Sequence, residues 1–218
     1  LALLNENPMA LDRLLSLARQ SRFLIRMITA HPALLDELLD ARTLEEPPTR
    51  VELETALQRF LESTEAGDVE SVLDAIRQFQ RASIFRIAVA DRFAQLPLMR
   101  VSDLLTDTAE IVLRQAFDTA WAESIDKYGR PMCGDRSAPD EAGFAIVAYG
   151  KLGGLELGYG SDLDLVFIFS SPGSYHETNG GTSIDNAAFF AKLGQRLIHF
   201  LSIHTSSGRL YEIDTRLR

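Results

Sequence analysis

The feature that most constrains this chain is a glycine-rich stretch between two short apolar segments, ending in two aspartates one residue apart. Residues 144–149 and 163–169 are apolar and glycine follows the first segment, so each is predicted to be a buried β-strand. Asp162 and Asp164 stand at the start of the second strand, where this spacing points both carboxylates to one face. Five glycines lie in the connection between the two strands. Ordering glycine on folding costs more backbone entropy than ordering other residues, so we expect these glycines to have a specific role.

The paired aspartates predict a site for a divalent cation. No basic residue neutralises Asp162 and Asp164, so they repel each other in a folded chain, and oxygen-only ligands select a hard ion such as Mg²⁺. Backbone N–H groups of a glycine-rich turn can approach nucleotide phosphates. The sequence therefore predicts metal-assisted phosphoryl or nucleotidyl transfer. The alternative, two exposed acids at a solvated strand start, matches the short Asp-x-Asp motif equally but leaves the glycines unexplained.

Three groups of motifs run along the chain. The first is GKLGG, ELGY and SDLDLVF at residues 150–154, 156–159 and 161–167. The second is TSSG followed by LYEID-x-RLR at 205–208 and 210–218, and the third is HPALLDELL with LPLM-x-VSD at 31–39 and 96–103. This combination covers effectively the whole chain and resembles the glutamine synthetase adenylyltransferases, a family within the DNA polymerase β-like nucleotidyltransferase superfamily.

The resemblance implies an α+β fold. An N-terminal helical bundle is expected first, followed by a polymerase β-like nucleotidyltransferase palm with a small mixed sheet. We place the helical domain at residues 1–135 and the catalytic domain, truncated at its C-terminal side, at 136–218. The chain begins with Leu and stops inside a family motif, so we interpret it as a fragment of a longer protein.

The resemblance also implies which residues form the site. Asp162, Asp164 and Asp214 are the expected catalytic carboxylates and the expected ligands of two Mg²⁺ ions, with Glu212 as a rival for the third position. ATP is the expected substrate, and its phosphates are expected at a set of turn residues: Gly150, Lys151, Gly153, Gly154 and Ser161. For Lys151 a solvated turn lysine is an equal alternative.

The family carries two related activities, one in each half of a long polypeptide: removal of AMP from glutamine synthetase by phosphorolysis, and attachment of AMP. The glycine motif and the TSSG block resemble the C-terminal, AMP-attaching half. The predicted reaction is transfer of AMP from ATP to a tyrosine of glutamine synthetase, which down-regulates nitrogen assimilation. The alternatives are the AMP-removing half and a non-catalytic regulatory fragment. The implied partners are glutamine synthetase and the nitrogen-signalling PII protein.

Composition narrows the class of protein further. The net charge of −9 argues against nucleic acid as a main substrate. Cys133 is the single cysteine, so no internal disulfide can form, which fits the reducing cytoplasm of a bacterium; we predict it to be an inert loop residue. No apolar run approaches membrane-spanning length, so no membrane partner is expected.

Apolar residues at helical spacing predict helices throughout the N-terminal part. The predicted helices span residues 9–30, 32–39, 49–61, 68–95 and 102–128, with a last one at 185–204. Thr49 and Glu52 form a predicted capping box. The other predicted N-terminal caps are Asp68, Ser102 and Asp185. The glycine-containing polar stretch at 129–143 is predicted to be a linking loop.

The helices are interpreted as a bundle that packs on itself and on the catalytic domain. The alternative is a docking surface for glutamine synthetase or PII. Arg77, Arg81 and Arg86 could form a basic stripe, but Asp74 and Asp91 flank them, so a solvated face is predicted.

Overall fold

Long helices form the first part of the structure, and a small sheet with one further long helix forms the rest. The computed structural model describes residues 8–38, 46–65, 67–205 and 208–215. The helical elements before the sheet are α1 (Pro8–Gln20), α2 (Arg22–Ala30), a 3₁₀ helix (Pro32–Leu38), α3 (Arg50–Leu61), α4 (Val69–Ala94) and α5 (Leu98–Tyr128). The predicted mixed class, helices followed by a small sheet, is confirmed.

Side-chain caps set several helix boundaries. Ser21 accepts a hydrogen bond from the backbone N–H of Leu24 at 3.3 Å and divides the predicted helix 9–30 into α1 and α2. The capping box at Thr49 is confirmed, because the backbone N–H of Thr49 donates to Glu52 at 2.8 Å and that of Glu52 donates to Thr49 at 3.3 Å. Asp68 caps α4 as predicted, accepting from the N–H of Glu70 at 3.0 Å.

Two sequence predictions in the middle of the chain are wrong. Ser102 caps no helix: α5 begins at Leu98, immediately after Pro97, and Ser102 is buried within it. Burial of Val101 and Leu104 on either side of Ser102 favours helix at this position. The first turn, with Leu98 and Met99 exposed, begins directly after the N-cap residue Pro97.

The stretch 129–143 is no simple loop. It contains an antiparallel hairpin of β1 (Met132–Asp135) and β2 (Ala138–Glu141). Cys133 is therefore buried in a strand, where it is a free thiol. The tight turn rests on Asp135, whose carboxylate accepts both the backbone N–H and the hydroxyl of Ser137 at 2.9 Å.

The main sheet has three strands in the order β3 (Gly143–Tyr149), β4 (Leu163–Ser170) and β5 (Ile213–Asp214). β3 and β4 are antiparallel, and β5 is parallel to β4, so the predicted small mixed sheet is confirmed. The first two strands match the apolar runs of the sequence. The third strand, β5, consists of two residues.

Helix α7 (Asn186–Ser202), capped by Asp185 as predicted, packs against the inner face of the sheet. Gly194 allows this close packing, since a Cβ there would lie 3.1 Å from the ring of Phe167. Phe190 of α7 stacks on Phe144 of β3 at a centroid distance of 5.4 Å, and Phe117 of α5 stacks on the same ring at 5.7 Å.

The hydrophobic core crosses the boundary between the helical part and the sheet. One buried cluster joins residues of α3, α4 and α5 to residues of the sheet and α7. A second, smaller cluster packs α1, α2 and the 3₁₀ helix against α4. The domain division at residue 135 stays a prediction, and that residue ends β1 in the hairpin.

Arg77 contradicts the prediction of a solvated arginine face on α4. Its side chain is 4% exposed and pairs with Asp74 at 2.8 Å. Arg86, on the same helix, lies 3.8 Å from Glu52 of α3. Charge spacing along the sequence could not show that neighbouring elements cover this face. None of the described helices is both long and apolar enough to cross a membrane.

Replacement of Thr49 by Ala tests the capping box. The substitution removes the side-chain acceptor at the start of α3, so the free energy of unfolding should fall by about 1 kcal/mol in urea titrations. Thr55→Ala is the matched control, because Thr55 is exposed inside the same helix and its hydroxyl donates to the carbonyl of Val51 one turn earlier. That variant should change stability by less than about 0.5 kcal/mol. Equal losses in both would contradict the assigned cap.

Candidate active site

The glycine-rich connection between β3 and β4 begins with a close approach of backbone and carboxylate. Gly150 has φ +54°, and a Cβ on it would overlap the Oδ2 atom of Asp164. A side chain at this position would therefore be both strained and obstructed. The Asp164 carboxylate lies directly against the Gly150 backbone.

A second glycine shapes the same connection. Residues Gly150–Gly153 form the short helix α6, and a Cβ on Gly153 would lie 2.5 Å from the carbonyl oxygen of Ala148. Gly154 follows as the C-terminal cap, with its N–H donating to the carbonyl of Gly150 at 2.9 Å. The glycines thus let α6 fold back onto the end of β3, beside Asp164.

The sheet brings two of the three predicted carboxylates together. Asp164 pairs with Asp214 in the parallel register of β4 and β5, and residues in register on neighbouring strands point to the same face. The N–H of Leu163 donates to the carbonyl of Glu212 at 2.9 Å and fixes this register. Asp162 lies just before β4, and all three aspartates are half-buried. Glu212, the rival third carboxylate, is instead exposed and paired with Arg209 at 2.8 Å.

The donor set fits a hard divalent cation, because Asp162, Asp164 and Asp214 all offer carboxylate oxygens as ligands. In the conformation described, however, no three His, Cys, Asp or Glu side chains among the described residues group closely enough to hold a metal ion. The backbone positions two aspartates in register and a third nearby, without a ready-made cage.

The residues predicted to contact phosphate lie on one connection. Lys151 is exposed on α6, one residue after the glycine that Asp164 contacts. Ser161 tightens the turn before the first aspartate: its Oγ accepts the N–H of Gly158 at 3.0 Å, and its own N–H donates to the Gly158 carbonyl at 3.1 Å. A serine hydroxyl that accepts one hydrogen bond still has its proton to donate.

Tyr159 and Asp91 are functional candidates that the sequence did not indicate. The hydroxyl of Tyr159, in the turn, donates to Asp91 of α4 at 2.9 Å across 68 residues of sequence, and Phe23 of α2 lies 5.5 Å from its ring. Burial, then the hydrogen bond to Asp91, raises the pKa of Tyr159 above its ordinary value. The sequence does contain a feature that could have indicated Tyr159: it is an aromatic residue between two glycines, and such a side chain can anchor an otherwise flexible turn.

The face of the sheet that carries the aspartates is open. Tyr149, the antiparallel partner of Asp164, is 51% exposed, and Ile168 further along β4 is 50% exposed. Tyr149 was not predicted as a site residue. The arrangement leaves room for a bulky ligand or a protein surface beside the carboxylates.

Replacement of Gly150 by Ala tests the contact with Asp164. The methyl group would strain the backbone and displace the carboxylate, so the free energy of unfolding should fall by about 2 kcal/mol or more. Binding of ATP with Mg²⁺, measured by calorimetry, should weaken in the same variant.

Gly160→Ala is the matched control in the same connection, because a Cβ there meets nothing within 4 Å. Its stability should change by less than about 0.5 kcal/mol. Unchanged stability of Gly150→Ala would show that the close approach is not required.

Replacement of Tyr159 by Phe tests the anchor of the turn. Below pH 10 the variant should lose about 1–2 kcal/mol of stability, because Asp91 loses its donor. The pKa of Tyr159 is raised in the folded state, so the contribution is complete below the unfolded pKa of about 10 and is lost as pH rises toward the folded pKa. The difference from the parent protein, measured by urea unfolding, should therefore stay constant up to about pH 9 and shrink as the pH rises above about 10.

Thr49→Ala serves as the control for the general effect of pH. It should lose a similar amount of stability, about 1 kcal/mol, and it removes no group that titrates. Its stability difference from the parent protein should stay constant over this pH range. A pH-independent difference for Tyr159→Phe as well would contradict the assigned hydrogen bond.

Comparison with known proteins identifies the family. The model of the glutamate-ammonia ligase adenylyltransferase family matches residues 11–218. Relatives named bifunctional glutamine synthetase adenylyltransferase/adenylyl-removing enzyme align with the whole chain: 49% identical in Thioalkalivibrio sulfidiphilus, 46% in Hahella chejuensis and 46% in Pseudomonas aeruginosa. The chain spans 22% of the length of each relative. The match extends through both the helical part and the sheet. The chain therefore belongs to the glutamate-ammonia ligase adenylyltransferase family of enzymes.

Proposed function

We propose that this chain carries a nucleotidyl-transfer site that attaches AMP to glutamine synthetase. The observation that supports it most is the register of β4 and β5, which sets Asp164 beside Asp214 directly over the glycine turn. The relatives' name supplies the substrate and the class of reaction. We assign the sheet to the polymerase β-like palm, on the pairing of a glycine turn with aspartates on neighbouring strands.

The residues have separate tasks in this proposal. The backbone of the turn that begins at Gly150 holds the triphosphate of ATP, with Lys151 as a point charge beside it and Ser161 as a hydroxyl donor. Asp162, Asp164 and Asp214 would hold Mg²⁺. When bound, the ion would neutralise negative charge on the phosphates. Without it, three carboxylates would repel the substrate.

The reaction is an in-line displacement at the α-phosphorus. The hydroxyl oxygen of the acceptor tyrosine bonds to this phosphorus, the bond to the bridging oxygen breaks, and pyrophosphate leaves with the electron pair. Asp214 is assigned to take the tyrosine proton, because its carboxylate lies on the open face that the acceptor approaches. No covalent intermediate on the enzyme forms, so the chemistry requires no nucleophilic side chain.

An open face suits a protein acceptor. A tyrosine on a folded partner cannot enter a narrow cavity. The half-exposed Tyr149 pairs with Asp164 in the sheet, and the half-exposed Ile168 lies further along the same face. They offer apolar surface on which a partner can pack. PII binding stays a prediction from the family resemblance, as does a cytoplasmic location.

The direction of the reaction rests on the motif ELGYGSDLD and the TSSG block, which favour attachment. Removal of AMP by phosphate would use the same carboxylates, and so would any mixture of the two activities. The assignment therefore needs a measurement of both directions on the same protein.

Transfer of label from α-³²P-ATP to unmodified glutamine synthetase, with Mg²⁺, measures attachment. Release of labelled ADP from adenylylated glutamine synthetase with phosphate measures removal. We expect label on a glutamine synthetase tyrosine, and a decrease of at least about 100-fold in Asp162→Asn and Asp164→Asn. These variants should stay folded, with unchanged or slightly raised stability in metal-free buffer, because one repelling charge is lost.

Asp118→Asn is the matched control, because Asp118 is an exposed aspartate of α5 that has no part in the proposed site. Full activity in this control and loss in the other two would assign the carboxylates to the reaction. Retained transfer in Asp164→Asn would remove that residue from the mechanism. Labelled ADP without label transfer would reverse the proposed direction.

A further inference from the structure

Strand β3 forms one edge of the three-stranded sheet, with β4 on one side and no described strand on the other. The N–H of Leu163 on β4 donates to the carbonyl of Glu212 at 2.9 Å, so the backbone groups of Leu163 point toward β5. Backbone direction alternates along a strand, so those of the next residue, Asp164, point toward β3. Asp164 is in register with Tyr149, and these two residues therefore form a hydrogen-bonded pair.

The same alternation along β3 leaves part of its backbone facing outward. Phe144, Ile146 and Ala148 direct their N–H and C=O groups away from β4, toward the free edge. Helix α6 covers the last of these, because Gly153 packs on the carbonyl of Ala148. The outward groups of Phe144 and Ile146 have no hydrogen-bond partner among the described residues. The strand GFAIVAY also lacks the charges and proline that commonly protect an edge, so it can pair with another strand.

A groove of about 480 Å³ lies beside this edge, between β3 and α5. Its apolar lining consists of Leu113 and Phe117 of α5 and of Phe144 and Ile146 of β3. A strand added to the edge would place side chains over this lining and remove it from water, which favours association.

Two charged side chains of α5 also line the groove. Arg114 and Asp118 are exposed, stand one helical turn apart, and make no ion pair or hydrogen bond with a described residue. The other charged residues of the lining, Arg50 and Glu110, are paired with each other at 2.7 Å. Around a two-fold axis, α5 of one copy runs antiparallel to α5 of the other, so each Arg114 can face the other copy's Asp118. The two free charges therefore make this surface complementary to itself.

We propose that the edge of β3 and the groove beside it bind a second copy of this chain, with the two β3 strands antiparallel and the two sheets joined. Phe144 of each copy then pairs with Ile146 of the other, and each pair exchanges both backbone hydrogen bonds around an axis at Ala145. The inference goes beyond the nucleotidyl transfer and does not depend on it. Phe144 and Ile146 point their side chains to the face opposite Asp164, so pairing at this edge leaves the aspartate face open.

Sedimentation equilibrium over a wide range of protein concentration measures the association. We expect a reversible dimer, and Arg114→Asp should weaken it at least about tenfold, because like charges then face each other across the axis. Asp118→Arg should weaken it similarly. The double variant Arg114→Asp/Asp118→Arg should restore the dimer, since exchange of the two charges keeps the surface complementary to itself. A chain that stays monomeric at every concentration, or a double variant as weak as the single ones, would overturn the inference.

Arg100→Asp is the matched control, because Arg100 is exposed on α5 outside the groove and the substitution changes the net charge equally. It should alter the dissociation constant by less than about threefold. Combined with Asp118→Arg, it keeps the net charge at −9 but leaves arginines facing each other across the axis, so this dimer should stay weak. Recovery in this combination would show only a general charge effect and would overturn the pairing of the two helices.

Amide hydrogen exchange tests the pairing of the strands. The N–H groups of Ala145 and Val147 bond to β4 and should be protected at every concentration. Those of Phe144 and Ile146 should exchange about tenfold or more slowly once the dimer forms. A dimer that leaves these two amides unprotected would overturn the joined sheet. Their protection by glutamine synthetase, in a chain that does not dimerise, would overturn the second copy in favour of a strand from that partner.

Discussion

The contact between the Asp164 carboxylate and the bare backbone of Gly150 is the constraint from which the rest of the site follows. It requires a residue without a side chain, at a positive φ, at the point where β3 ends. Gly153 then allows α6 to lie against the carbonyl of Ala148, so the connection folds back instead of continuing the strand. The position of the carboxylate and the shape of the turn are therefore one geometric unit, and neither can change alone.

Helices α4 and α7 hold the segment that leads to the third carboxylate in place. The short strand that carries Asp214 follows Tyr211, whose N–H donates to the carbonyl of Leu201 on α7 at 2.9 Å. Gln80 of α4 donates to the neighbouring carbonyl of Leu210 at 2.6 Å. Tyr211 is buried, which raises the pKa of its hydroxyl to about 12, with the hydrogen bond from Gln80 opposing this rise. A strand of two residues makes too few inter-strand hydrogen bonds to be stable alone. The contacts with α4 and α7 therefore fix the strand in the position that places Asp214 beside Asp164.

Local signals in the sequence predicted local structure well, and contacts between distant residues account for what they missed. The capping box at Thr49 and the cap at Asp68 needed only neighbours within a turn of helix. The prediction of a cap at Ser102 failed because burial of a helix face outweighed the capping preference of serine. The hydrogen bond from Tyr159 to Asp91 was missed because it joins residues 68 positions apart, which no local sequence pattern connects. At the site, the glycine turn followed from residue pattern. The placement of the third aspartate beside the second came from family resemblance, because its strand is too short to signal its register.

Tyr159 joins the glycine-rich connection to the helical part of the chain. Its ring lies 5.5 Å from the ring of Phe23 of α2, its hydroxyl donates to Asp91 of α4 at 2.9 Å, and its backbone stands four residues before Leu163 of β4. A turn flanked by glycines has little stiffness of its own, so these contacts hold it against the helices. A shift of α2 or α4 would therefore reach the connection that leads to Asp162 through the side chain of Tyr159.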